Sequence, residues 1–159
     1  MKKIALLSML LVAAILPAQQ SLPLDEAIFT AGRYLNMRIP SRAKVAVLNF
    51  LAPTEALSTY VTEELTRALD RNPMLTIVEY SGHTQISETM IDIAQPIGKQ
   101  LGVLVLVLGS ITANKAEDDS LILRTKAISV QNTQAYWTGT YPLLPDQTLT
   151  RLQNLTEID

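Results

Sequence analysis

The sequence predicts an α/β domain: a helix, a βαβαβ unit and then two antiparallel strands, giving a mixed sheet of about five strands with helices packed on its faces. Three observations carry this prediction. Leu57, Val61, Leu65, Ala68 and Leu69 recur at helical spacing between Thr54 and Asp70. The runs Lys44 to Phe50 and Val103 to Leu108 are apolar on both faces, as parallel strands covered on both sides must be. Beyond residue 108 the helical periods stop, and strand-like runs alternate with polar turns at 114–120 and 131–133.

Taken in order, the first helix is expected from Leu24 to Met37, with Leu24, Ala27, Ile28, Ala31 and Leu35 on one face. Asp25 and Glu26 lie near its start, where the helix dipole favours anions, and Pro40-Ser41 breaks the chain. Lys44 to Phe50 is the first strand. Pro53 and Thr54 turn the chain and cap an amphipathic helix from Glu55 to Asp70, which Asn72-Pro73 ends. Leu75 to Tyr80, bounded by Pro73 and Ser81-Gly82, reads as the second strand. Ser81 to Asp92 has no clear period. A second crossover helix is expected from about Gln95 to Leu101, with Pro96 in its first turn and Gly102 ending it.

Val103 to Leu108 is the third strand, extended by Ser110 to Ala113. Leu121 to Val130 is the fourth, and Gln134 to Tyr141 the last, with Trp137 and Tyr141 on one face and Tyr136 on the other. Pro142 and Pro145 stop it, and a tail helix from Asp146 presents Leu149, Leu152 and Leu155 to the domain. Right-handed crossovers place the first three strands parallel in the middle of the sheet and the last two at one edge.

The first 18 residues have the three parts of a secretory signal: Lys2 and Lys3, an apolar run from Ile4 to Leu16, and small Ala18 before Gln19-Gln20-Ser21. Cleavage is expected between Ala18 and Gln19, leaving 19–159 as a single domain. An uncleaved anchor is the alternative, but the run is shorter than the roughly 20 residues that span a bilayer. The chain carries 13 basic and 15 acidic side chains, and losing Lys2 and Lys3 with the signal takes the balance from −2 to −4. No clustered basic face suited to nucleic acid is evident in the sequence. The chain has no cysteine, so disulfides, thiolate metal sites, a thiol nucleophile and a lipid-modified N-terminal cysteine are all excluded.

Candidate chemistry is sparse. The one histidine, His83, follows Gly82 in a turn and would need partners such as Glu88 or Asp92 to serve as base or ligand. Glu63-Glu64 on a helix and Asp118-Asp119 on a hairpin tip read as solvated surface. The first βα connection, 49–54, has no glycine to let a backbone approach a phosphate, so no nucleotide cofactor is expected. Gly98 and Gly102 read as packing and cap residues. Arg124 and Lys126 share a face of the fourth strand with Ile122, Ile128 and Val130, while Tyr136, Trp137 and Tyr141 cluster on its neighbour. Aromatic residues with arginine are enriched in binding hot spots, so these five are the candidate protein-interaction residues. The competing reading is that Trp137 covers the core of its own domain. Asn154-Leu155-Thr156 matches a glycosylation acceptor with nothing else to support that use.

Lys44-Val-Ala-Val-Leu-Asn-Phe, Leu57-Ser-Thr-Tyr-Val-Thr-Glu-Glu-Leu, Thr76-Ile-Val-Glu-Tyr, Ile97-Gly-Lys-Gln-Leu-Gly, Gly109-Ser-Ile-Thr and Arg124-Thr-Lys-Ala-Ile-Ser-Val follow one another in order. In this order the chain resembles the CsgG-like domains of curli secretion and their relatives. Those are the LpoB-type activators of penicillin-binding proteins, the flagellar FlgO proteins and the N-terminal domain of TolB. Leu24-Asp-Glu-Ala-Ile and Tyr34-Leu fit the short spirochaete version. The resemblance spans about Leu24 to Tyr141 and implies a non-catalytic α/β domain of the periplasm or outer membrane that binds other envelope proteins. Two departures stand out: Glu79-Tyr80-Ser81-Gly82 leads quickly into the next helix where relatives carry an Asp-Arg-type motif and a long helix, and there is no anchoring cysteine or room for membrane-crossing hairpins.

The expected function is therefore an exported envelope accessory protein that binds a cell-wall synthase or an outer-membrane assembly, without cofactor, metal or lipid anchor. The alternatives are a small periplasmic ligand-binding protein or hydrolase using Glu88 or Asp92, and homo-oligomerisation through the edge strand.

Overall fold

The fold is described from a computed structural model for residues 20–116 and 118–155; the expected signal segment and its cleavage point at Ala18 and Gln19 lie outside the described residues. In chain order the elements are α1 (Leu24–Arg38), β1 (Lys44–Val47), α2 (Glu55–Asp70), β2 (Thr76–Ile77), α3 (Ile91–Leu101), β3 (Val105–Ala113), β4 (Leu121–Ser129), β5 (Ala135–Pro142) and α4 (Gln147–Asn154). They form the five-stranded mixed sheet expected, in the order β2-β1-β3-β4-β5. β1 is parallel to both β2 and β3, and β3, β4 and β5 are antiparallel neighbours. The parallel strands thus occupy one side of the sheet, with β2 at its edge rather than in the middle.

Strand alternation divides the apolar side chains between two cores. Val45, Val47, Val105, Val107, Ile111, Leu123 and Ala127 face α1, α2 and α4, whose Leu24, Leu35, Leu57, Leu65, Leu149 and Leu152 complete that core. Ala46, Leu48, Leu106, Leu108, Ile128 and Val130 face the other way, onto Ile86 and Ala94. α3 closes on this second face through Gly98, where a Cβ would run into Val130 and Leu106. Thr54 caps α2 as expected, its Oγ1 accepting from Leu57 N–H at 3.2 Å and donating to Leu152 O at 2.8 Å, which also fixes α4.

Several boundaries differ from those read in the sequence, each for a local reason. β1 ends at Val47 because Phe50 turns inward onto Gly109, while its N–H goes to Thr62 Oγ1 at 3.1 Å. The chain nonetheless keeps following β3, through Leu48 N–H to Val107 O and an isolated bridge from Leu51 to Ser110. β2 shrinks to two residues at the sheet edge, with Val78 N–H still reaching Val45 O. α3 begins at Ile91, so Pro96 is inside it and not in its first turn. The helix holds its place because Gln95 Nε2 donates to Val130 O at 2.8 Å and Gly102, at φ 68°, ends it in the left-handed conformation. Leu155 does not join the core; it is exposed just beyond α4.

Gly109, Thr125 and Gly139 lie side by side across β3, β4 and β5. The two glycines leave room for the rings of Phe50 and Trp137, which fill the space their Cβ atoms would take. Thr125 is fully buried between them, and its Oγ1 has no hydrogen-bond partner among the described residues. Thr125→Val should therefore stabilise the protein by about 1 kcal/mol, since it removes an unpaired buried hydroxyl. Gly109→Ala should cost about 1–3 kcal/mol by overpacking. Urea unfolding of the two variants checks both signs.

Candidate functional site

The five candidate interaction residues sit on β4 and β5, and the sheet separates them into two groups. Ser110, Arg124 and Thr140 are aligned across three strands, and so are Leu108, Lys126 and Thr138. Arg124 and Lys126 therefore share the α3 side of the sheet. α3 reaches β4 at Val130, toward the strand's far end, and Arg124 and Lys126 are half-buried in a surface of hydroxyl-bearing neighbours. Arg124 Nη1 donates to Thr112 Oγ1 at 2.8 Å, which orients the guanidinium along the sheet. Neither cation has a carboxylate partner: the ion pair among the described residues is Arg67 with Glu64, on the surface of α2.

Trp137 and Tyr141 lie on the opposite side, against α1. The indole stacks on Tyr34 with ring centroids 5.7 Å apart and planes 12° apart, and sits 6.4 Å from the tilted ring of Tyr141. Tyr136 packs on the same core as Trp137, so it does not occupy the other face as strict alternation implies. The cause is a register shift at Ala127/Ile128, which opposes Trp137 to Ala127 and Ala135 to Ile128 and leaves Tyr136 over. The structure thus does not bring the five residues into one patch. Trp137 covers the core of its own domain, with its ring folded back over Gly139. A glycine two residues after a tryptophan on a strand was the available sign of that arrangement.

A concavity lies at the carboxyl ends of β1 and β2, where open α/β sheets commonly hold ligands. Two adjoining cavities of about 670 and 590 Å³ share Asn49, Thr59 and Tyr80. α2 contributes Glu63, Arg67 and Asp70 to one, while Glu55 and His83 line the other. Asn49 Nδ2 donates to Gly82 O at 2.6 Å and so holds the turn bearing His83, which itself is exposed. Glu88 and Asp92 do not line this cleft. No group of three His, Cys, Asp or Glu among the described residues could hold a metal ion, and no described helix is long and apolar enough to cross a membrane.

Two phenols are shifted. Tyr60 Oη donates to Asp25 Oδ1 at 2.6 Å, joining α2 to α1, and this bond with some burial lifts the Tyr60 pKa to about 12. Burial against α1, with Tyr34 adding to it, lifts Tyr141 to about 12. Both groups favour the protonated form when folded, so the stability they lend is complete below pH ~10 and is lost as pH rises toward 12. Absorbance titration should show two of the five tyrosines ionising last. Tyr141→Phe should remove one late step and flatten the alkaline fall in stability.

No protein-family model and no curated protein sequence matches the chain. Among solved structures, the LpoB C-terminal domain from Escherichia coli superposes with a TM-score of 0.58 at 17% identity, over 73% of this chain and 94% of that one. The corresponding domain from Salmonella enterica gives 0.57 at 18% identity over the same shares. The NMR structure of E. coli LpoB gives 0.57 at 18% identity, over 82% of this chain and 72% of that one. The chain has the fold of the LpoB C-terminal domain.

Proposed function

We propose that this chain is an exported, non-catalytic accessory protein of the cell envelope that works by binding another envelope protein. The observation that carries this reading is the shared fold over 94% of the LpoB C-terminal domain. The motifs in the sequence point the same way, and the resemblance they carry implies a partner among penicillin-binding proteins or the proteins of an outer-membrane assembly. The signal-like N-terminus fits an exported protein.

Within that reading, Arg124 and Lys126 are the partner-facing residues. They are charged, have no carboxylate partner among the described residues, and stand on the side of the sheet away from α1 and α2. Trp137 and Tyr141 support the face from behind by fixing β5 against α1. Cross-linking in intact envelopes followed by recovery of the tagged chain should yield an envelope protein partner. Arg124→Glu combined with Lys126→Glu should cut that yield about tenfold or more, since like charges set against a complementary surface cost several kcal/mol. Recovery unchanged by this pair of reversals would remove β4 from the interface, and recovery of no envelope protein would remove the function.

A further inference from the structure

Charge is unevenly distributed along the strand axis. At the end where the parallel strands begin, α1 and α2 finish and the turns 39–43 and 71–75 meet, with Arg42 N–H bonded to Met74 O at 2.6 Å. α3 finishes at the same end, since Leu104 N–H reaches Lys44 O. Five exposed cations are gathered there, Arg38, Arg42, Lys44, Arg71 and Lys99, with Asp70 the carboxylate among them. None of the five is in an ion pair among the described residues. At the opposite end lie Asp25, Glu26, Glu55, Asp118, Asp119 and Asp146. A chain that is acidic overall thus presents one basic end.

Helix dipoles account for cations in the last turns of α1 and α3, but not for Arg42 and Lys44, which are in a turn and a strand. Arg42 even holds its place at φ 66°, a conformation that glycine or asparagine adopts at lower cost. Between these cations three apolar side chains are open to solvent: Met37 is 68% exposed, Met74 47% and Leu104 40%. Cations alone would suit any polyanion. Cations interleaved with flexible apolar side chains suit an interface whose outer layer is phosphate and whose inner layer is hydrocarbon.

We propose that this end of the sheet is a docking surface for an anionic phospholipid membrane, with the five cations at the phosphates and Met37, Met74 and Leu104 among the acyl chains. The surface is separate from the β4 face assigned to a protein partner. The test is co-sedimentation of the chain, freed of residues 1–18, with vesicles of phosphatidylcholine alone or mixed with phosphatidylglycerol. Binding is expected to the mixed vesicles and to weaken with salt. Arg42→Gln with Arg71→Gln should lower it roughly 25-fold, at about fivefold per cation near the surface. Lys115→Gln with Arg151→Gln changes net charge equally, away from this end, and should leave it unaltered. Met37→Ser with Met74→Ser should also weaken binding, with circular dichroism confirming the fold of each variant. Equal binding to both vesicles, equal loss in both pairs of charge variants, or no vesicle binding at all would overturn the proposal. In the last case, retention on a sulfated resin that requires Arg42 and Arg71 would assign the surface to an acidic protein instead. The vesicles contain no protein, so this outcome is independent of whether cross-linking recovers a partner.

Discussion

Everything in this fold depends on β3 being buried on both faces at once. Val105 and Val107 serve the core under α1 and α2, while Leu106 and Leu108 serve the core under α3, and all four are fully inaccessible. Such a strand must find apolar cover on both sides and hydrogen-bonding neighbours along both edges. β1 supplies one edge over three residues and β4 the other over nine. The helices are placed by the same requirement: α1 and α2 can bury their apolar stripes on one side only, and α3 is left to close the other.

This explains what the sequence reveals. Helices with a strong stripe, α1 and α2, are legible to within a residue, because burial on one face imposes a period on the side chains. Strands buried on both faces are legible as apolar runs. α3 is read four residues short because Pro96 signals a first turn, whereas contacts far away in sequence, Gln95 with Val130 and Gly98 with Leu106, sustain the helix through it. β2 is read too long because its residues look extended, yet an edge strand is defined by its partner, and β1 pairs with only two of them.

The candidate site is legible in kind but not in arrangement. Arg124, Lys126 and the aromatic residues of β5 are adjacent in strand order, but adjacency does not give the side of the sheet. Cross-strand pairing decides that for Arg124, Lys126, Trp137 and Tyr141, and a register shift beside Ile128 turns Tyr136 to the face that already holds Trp137. Charge at the far end of the sheet is dispersed through the sequence, from Arg38 to Lys99, and becomes a cluster only when three helix ends and two turns meet.

The start of α1 bears on how the domain assembles. Pro23, at the N-cap, has no side chain able to cap the helix, and the Leu24 N–H is instead taken by the Asp146 carboxylate at 3.3 Å. Leu22 likewise exchanges backbone hydrogen bonds with Pro142 and Leu144. The first helix is therefore finished by residues more than a hundred positions away, across a loop whose closure costs entropy before any contact repays it. An isolated α1 is an incomplete helix, and its first turn is completed only through contacts of high sequence separation. The two ends of the domain are thereby stitched together, and loosening either one frees the other.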